Sequence, residues 1–197
     1  MKKNFDQQMF EFFSIEEAFV DMYEIAEQLP NIKSKLIDEF WPLVVAELET
    51  MCIPDNNKWT VLRLEPTESN ISKLMLYKNN WGMVVGEGCP QLAVCYERLS
   101  NRPFYGPFVH ARTIKLDYSK AYKHLRDFDF GEPFRKDNSP FYPFFNFLEP
   151  TFLGIEDFIS ILPSNRQSTC RTTAETLYKL AQTLEGQLDY VSENFKK

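Results

Sequence analysis

The sequence contains few of the residues from which common catalytic and cofactor sites are built. Among its 197 residues are two histidines, four cysteines and seven glycines. No CxxC, HxxxH or HExxH spacing occurs, so the short-range ligand pairs of common zinc sites are absent. The phosphate-binding patterns GxGxxG and GxxxxGK(S/T) are absent too, as is the GxSxG turn of serine hydrolases. The sequence therefore predicts no metal and no cofactor, and it favours a non-enzymatic protein.

Long hydrophobic runs are also absent. No stretch approaches the roughly 18 consecutive apolar residues of a transmembrane helix. The first residues, MKKNFDQQMFEFF, reach Asp6 and two glutamines before any apolar run forms, unlike a signal peptide. The cysteines lack short paired spacings, which is typical of free thiols in a reducing compartment: Cys52, Cys89, Cys95 and Cys170. We therefore expect a cytoplasmic protein without a membrane partner.

Negative charge is concentrated in the first quarter of the chain. The net charge is −6, and residues 1–50 contain eleven acidic and four basic residues. A protein that binds along a phosphate backbone needs a basic surface, so this balance argues against nucleic acid as a partner. The acidic helix face expected at 16–28 suits a basic partner surface or mimicry of nucleic acid, or else it is only a solvated face.

The amino-terminal part, residues 1–53, has the spacing of helices. Apolar side chains recur every three or four residues, with acidic residues between them. Pro30 predicts the end of a first helix. Pro42 lies inside the apolar pattern of a second helix and predicts a kink there.

Residues 58–117 change to the alternation of β-strands. Short links predict an antiparallel meander of about five strands, in which each strand pairs with its sequence neighbour. Gly88-Cys89-Pro90 is expected to be the turn of a central hairpin, covered on both faces because apolar residues occur on both. The expected strands are 59–64, 74–78, 81–86, 92–97 and 108–116.

The remaining chain predicts short helices and then one long one. Residues 118–163 combine short helices, near 117–127 and 151–162, with an irregular segment rich in proline and aromatic residues. Residues 164–195 predict a long helix whose apolar stripe includes Leu184 and Leu188. The predicted fold is a single α+β domain over 1–197, with the sheet packed against the amino-terminal helices and the long carboxy-terminal helix.

The preferred function is a non-enzymatic, cytoplasmic protein-interaction module, such as a bacterial or phage accessory or inhibitor protein. The candidate partner-binding residues are Phe141, Tyr142, Phe144 and Phe145. Pro140 and Pro143 keep this segment out of a helix interior or a central strand, and exposed aromatic patches commonly mark partner sites. Alternatively, these rings fold over one end of the sheet as a plug. The long carboxy-terminal helix is the candidate contact of a homo-oligomer.

The alternative function is an enzyme or a small-ligand-binding protein whose site is assembled from dispersed residues. Its candidate residues fall on neighbouring predicted strands: Glu87, Glu97, Arg98, His110 and Arg112. A histidine beside a carboxylate is a common acid–base pair, so convergence of these side chains in the fold would favour this alternative.

Overall fold

The structure, a computed structural model, describes the main-chain course of residues 16–54, 58–64, 73–84, 86–99, 102–112, 115–129, 134–136, 139–150 and 152–197. The chain forms two compact units, Met1–Glu39 and Phe40–Lys197. The described part of the first unit is helical, and the second unit contains the sheet. The single domain expected over 1–197 stays a prediction.

Helix α1 spans Glu16–Cys52 and includes both Pro30 and Pro42. The prediction that a first helix ends at Pro30 is therefore wrong. A proline removes one backbone N–H, while the hydrogen bonds on either side of it can preserve the helical path. From residue 40 onwards, the apolar stripe at every fourth position of α1 is buried: Phe40, Val44, Leu48 and Cys52.

The five described strands form one antiparallel sheet in the order β1-β2-β3-β4-β5. The strands are β1 Thr60–Leu64, β2 Lys73–Tyr77, β3 Leu92–Leu99, β4 Arg102–Val109 and β5 Asn146–Phe147. The remaining helices are α2 Tyr118–Asp127, α3 Ile155–Ser160 and α4 Arg166–Asn194. This arrangement confirms the predicted α+β fold with a long carboxy-terminal helix.

The described residues of the predicted strand at 81–86 do not form a strand of the sheet. Asn79–Trp81 forms a 3-10 turn, and Met83 makes only a single bridge, with Pro90. Gly82 and Gly86 have φ angles of 79° and 81°, a left-handed conformation outside the strand region. Strand β2 therefore pairs directly with β3, and alternation alone did not reveal this interruption.

Strand β4 begins six residues before the strand expected at 108–116 and already ends at Val109, so most of that expected strand is wrong. Pro103 and Pro107 both lie in β4 without breaking its ladder to β3. Odd-numbered residues of β4 direct their backbone groups away from β3, since the Val109 amide donates to Phe141 and the Pro103 carbonyl accepts from Leu148. Pro103 and Pro107 therefore lack their N–H groups on the side of β4 that faces away from β3. On that side, β5 pairs with only two residues of β4.

The two faces of the sheet are covered by different parts of the chain. On one face, the rings of Trp41 in α1 and Tyr96 in β3 lie 4.2 Å apart between centroids. On the other face, Tyr142 packs against Phe104 at a centroid distance of 4.9 Å. Both faces at β3 are therefore covered, but the central hairpin for which this cover was expected does not form, because the described residues of its first strand do not form a strand.

Candidate functional site

The loop between Met83 and Pro90 brings two chemically active side chains, Glu87 and Cys89, to the end of the sheet. The Val84 amide donates to the Cys89 carbonyl at 2.8 Å, and the Gln91 amide donates to the Gly82 carbonyl at 2.9 Å. Gly86 and Gly88 take positive φ angles within this loop, which other residues adopt only with strain. The local sequence thus builds a tight loop that carries a carboxylate and a thiol two residues apart.

His110 reaches the same place from the end of β4. Its amide donates to the Gln91 carbonyl at 2.9 Å, which fixes the histidine beside the loop. The imidazole Nε2 lies 2.9 Å from Glu87 Oε2, and the Arg112 amide donates to Nδ1 at 3.1 Å. Because Nδ1 accepts a hydrogen bond, the proton of the neutral ring resides on Nε2 and is donated to Glu87.

Burial and the charge of Glu87 act in opposite directions on this histidine. Burial lowers the pKa of His110, and the neighbouring Glu87 carboxylate offsets only part of that effect. Arg112 adds a cation, with Nη1 3.3 Å from Glu87 Oε1, and its charge lowers the pKa of His110 further. Burial, followed by the nearby Glu87, raises the pKa of the Cys89 thiol. Beside Glu87, the cluster at neutral pH therefore contains a neutral imidazole and a protonated thiol.

Three of the five residues named for the alternative function converge here: Glu87, His110 and Arg112. Glu97 lies in a different cluster, where it accepts a hydrogen bond from the Tyr142 hydroxyl. Lys73 Nζ lies 3.4 Å from Glu97 Oε2 and Cys95 Sγ lies 3.1 Å from the Tyr142 hydroxyl. The side chain of Arg98 falls outside the described part of the chain.

Cys89 is the member of the cluster that the sequence analysis did not assign. Its sulfur lies within 4.8 Å of ligand atoms of both Glu87 and His110. The short-range ligand spacings did not reveal this group, because Cys89 and His110 come from different elements. The available signal was the pair Glu87 and Cys89 in a glycine-flanked loop. This pair indicates a cluster only once the register of β4 is known, because that register places His110 beside the loop.

The predicted aromatic partner surface is divided by burial. Tyr142 and Phe144 are buried, so these two rings match the plug alternative and cannot belong to an exposed patch. Gly106 of β4 lies under this segment, and an added Cβ there would contact the Phe144 carbonyl oxygen. Phe141 and Phe145 are half-buried, and a partner role for them stays a prediction.

A second candidate surface lies on α1, which we call the α1 face and define as Phe19, Tyr23, Ile25, Leu29 and Ile32. All five side chains are exposed, with Tyr23 56% and Ile25 66% exposed. The rotation of 100° per residue spreads them over half of the helix circumference, with Tyr23 and Ile32 at its two edges. The amphipathic pattern predicts a buried surface between these edges. The structure instead presents this apolar surface to solvent.

Comparisons with known proteins give no relative for this chain, since no family model, no curated protein and no solved structure matches it. Within the described residues, no helix combines the length and apolar character needed to span a membrane.

Proposed function

We propose that this protein is an interaction module that docks through the α1 face onto a partner protein with an apolar groove bordered by basic side chains. The exposure of the α1 face supports this proposal most directly. Soluble proteins rarely leave a contiguous apolar patch uncovered, and larger patches mark interaction sites. An amphipathic helix that lays its apolar side into a groove is a recurrent form of peptide and protein recognition.

The charge of the same helix indicates the chemistry of the partner. Asp21 and Glu27 border the α1 face on its two sides, and Glu24 lies opposite, as the 100° rotation per residue requires. All three are exposed. A second copy of this helix would place acidic borders against acidic borders, whereas lysines or arginines around a groove would complement them. A basic partner therefore fits better than self-association.

The cellular location, the biological source and the oligomeric state are further parts of this proposal. The described cysteines are buried and form no disulfide, which supports a cytoplasmic location. An accessory or inhibitor protein of a bacterium or a phage fits a chain that offers a docking helix. Self-association through α4 has less support, because the apolar stripe of that helix is buried.

Site-specific photocrosslinking in the host cell tests the proposal. A photoreactive residue at Tyr23 should capture one dominant partner, and the same residue at Glu24, on the opposite side, should capture much less. The captured protein is identified by mass spectrometry, purified and titrated against the full chain. Tyr23→Gln with Leu29→Gln should weaken the measured affinity at least tenfold, and Asn31→Gln, on the opposite side, should not.

Salt dependence separates this proposal from its competitors. Affinity should fall as ionic strength rises, and Asp21→Asn with Glu27→Gln should reduce both the association rate and that salt dependence. Equal crosslinking from Tyr23 and Glu24 would overturn the proposal. Crosslinks from Tyr23 only to a second copy would replace it with a homo-oligomer.

Binding of a small ligand near Glu87 is a second candidate function. The observation that favours it is the convergence of Glu87, His110 and Arg112, which the sequence analysis named as a discriminating result. Both nitrogens of His110 already have partners in this arrangement. A role as a free general base therefore has less support than ligand binding through the carboxylate and the thiol.

A further inference from the structure

The cluster of Glu87, Cys89 and His110 has the composition of a transition-metal site. One ligand atom of each residue lies within 4.8 Å of the others. In a tetrahedral zinc site the metal–ligand distances imply donor separations of about 3.3–3.8 Å. Movements of about 1 Å, within the reach of side-chain rotation, would therefore bring the three donors to a common ion.

The donor set selects the kind of metal. A thiolate, an imidazole and a carboxylate are the three ligand types that zinc uses in proteins. Magnesium and calcium prefer oxygen ligands, so a sulfur donor disfavours them. The negative charges of one thiolate and one carboxylate would also balance the two positive charges of a zinc ion.

We propose that Glu87, Cys89 and His110 bind a zinc ion. This proposal does not depend on docking by the α1 face. Three protein ligands leave a fourth tetrahedral position for water or for a donor from another molecule. This proposal departs from the metal-free chain expected from short-range spacings, because its ligands come from two separate elements.

Proton transfer accompanies binding. The Cys89 thiol loses its proton to solvent when sulfur binds the metal. The imidazole stays neutral, with its proton moving from Nε2 to Nδ1 so that Nε2 can bind zinc. The hydrogen bond from the Arg112 amide to Nδ1 must then open. Ala111 and Arg112 form an exposed turn, so this adjustment does not disturb the buried sheet.

The experiment is metal binding by the full chain, purified without an affinity tag and stripped with a chelator. Addition of zinc should give one bound equivalent by elemental analysis and a higher melting temperature, since a ligand of the folded state stabilises it. Cobalt used as a probe should give a thiolate charge-transfer band in the near ultraviolet. Its visible bands should have the intensity of tetrahedral coordination.

Matched variants assign the ligands. Cys89→Ser and His110→Ala should each weaken zinc binding at least tenfold, and Cys89→Ser should abolish the cobalt charge-transfer band. Cys170→Ser and His124→Ala, at another buried cysteine and at the other histidine, should bind zinc like the wild type. Glu87 is partly exposed, with 34% of its side chain accessible, so Glu87→Gln tests a ligand without disturbing a buried position.

Three outcomes would overturn the proposal. They are substoichiometric zinc, unchanged binding by Cys89→Ser, or a cobalt spectrum without a thiolate band. If His110→Ala or Cys89→Ser unfolds, as judged by circular dichroism, the result for Glu87→Gln decides. If Glu87→Gln binds zinc with wild-type affinity and is stabilised by zinc like the wild type, the carboxylate is not a ligand. The proposed ligand set would then be wrong.

Discussion

Gly106 shows how one missing side chain permits the packing of the aromatic segment. A Cβ added at this position would contact the Phe144 carbonyl oxygen and would approach Phe145 Cα to 3.1 Å. These are backbone atoms, so they cannot rotate aside as a flexible side chain would. Glycine is therefore required at position 106 because the backbone of Phe144 and Phe145 lies too close for a side chain. The backbone angles of Gly106 do not themselves require glycine.

We expect Gly106→Ala to lower the free energy of unfolding by about 1–3 kcal/mol through overpacking. Gly186 in α4 is the matched control, because an added Cβ there meets no atom within 4 Å. Gly186→Ala should stabilise the helix by roughly 0.5–1 kcal/mol. Urea denaturation of both variants measures the difference, and similar effects at the two glycines would contradict the close approach at Gly106.

The aromatic segment gives a second prediction at the scale of single residues. Phe144 is fully buried, so Phe144→Ala should cost about 3–5 kcal/mol of unfolding free energy through lost burial and a cavity. Phe145 is half-buried, and Phe145→Ala should cost roughly 1 kcal/mol. If Phe145 also contacts a partner, its variant should lose binding while remaining folded. Comparable destabilisation of the two variants in thermal melts would contradict the assigned burial.

Single residues also show where inference from the sequence stopped. Glu87, His110 and Arg112 were named together because they fall on neighbouring predicted strands, and the structure does bring them together. The predicted hairpin strand at 81–86 and the strand beginning at Phe108 were nevertheless wrong. The loop that carries Cys89 depends on left-handed glycines and a single bridge, which periodicity does not encode.

At the scale of elements, α4 was predictable because its apolar period extends over eight turns. The apolar stripe expected from the sequence is buried, including Leu184 and Leu188. A long signal of one period outweighs local ambiguity, whereas a six-residue alternation such as 81–86 does not. Strand β5, with two residues, has no period of its own and is defined only by its pairing with β4.

Leu184→Ala in α4 should lower the free energy of unfolding by about 2–5 kcal/mol, because the side chain is fully buried. Gln182→Ala is the control, since that side chain is exposed on the same helix. Its effect should stay within about 0.5 kcal/mol. Gln187 is a poorer control, because its amide oxygen lies 3.0 Å from His124 Nε2. Equal small effects at Leu184 and Gln182 in chemical denaturation would mean that α4 does not pack as described.

An ion cluster attaches the 3-10 turn to α4. Lys78 Nζ lies 2.6 Å from Asp189 and 2.5 Å from Glu185, and the Trp81 indole donates to Asp189 at 2.7 Å. Burial opposes the charge of Lys78, but hydrogen bonds and charges from Asp189 and Glu185 outweigh it and raise the pKa of Lys78. Burial likewise opposes ionisation of Glu185, yet Lys58 and Lys78 outweigh it and hold the pKa of Glu185 below its usual range.

These shifts predict the pH range over which the cluster stabilises the fold. The lowered pKa of Glu185 contributes stability that is present above its ordinary value of 4.5 and is lost as the pH falls. The raised pKa of Lys78 contributes stability that is present below 10.5 and is lost as the pH rises further. In urea midpoints measured between pH 7 and pH 3, Glu185→Gln should therefore show a shallower acid loss than the wild type. Glu193→Gln, exposed on the same helix, should follow the wild type, and an identical acid loss in all three proteins would contradict the assignment.

At the scale of the whole molecule, apolar burial is very unevenly distributed along the chain. In the described part of the second unit, large apolar side chains cover both faces of the sheet. In the first unit, nearly every described side chain between 19 and 32 is exposed, including the five of the α1 face. The amphipathic pattern correctly predicted a helix there but not the exposure of its apolar side. A periodic pattern identifies a face suited to burial and leaves open which surface covers it.

The last prediction concerns this exposed surface. The triple variant Tyr23→Gln, Ile25→Gln and Leu29→Gln should change the free energy of unfolding by less than about 0.5 kcal/mol per site, because these side chains are exposed and glutamine is a good helix former. Binding of a hydrophobic dye such as ANS to the native protein should decrease, since the variant removes most of the α1 face. Val44→Gln, at a fully buried position of the same helix, is the contrasting control and should cost several kcal/mol. Strong destabilisation of the triple variant, or unchanged dye binding, would mean that the α1 face is already covered in the protein as it exists in solution.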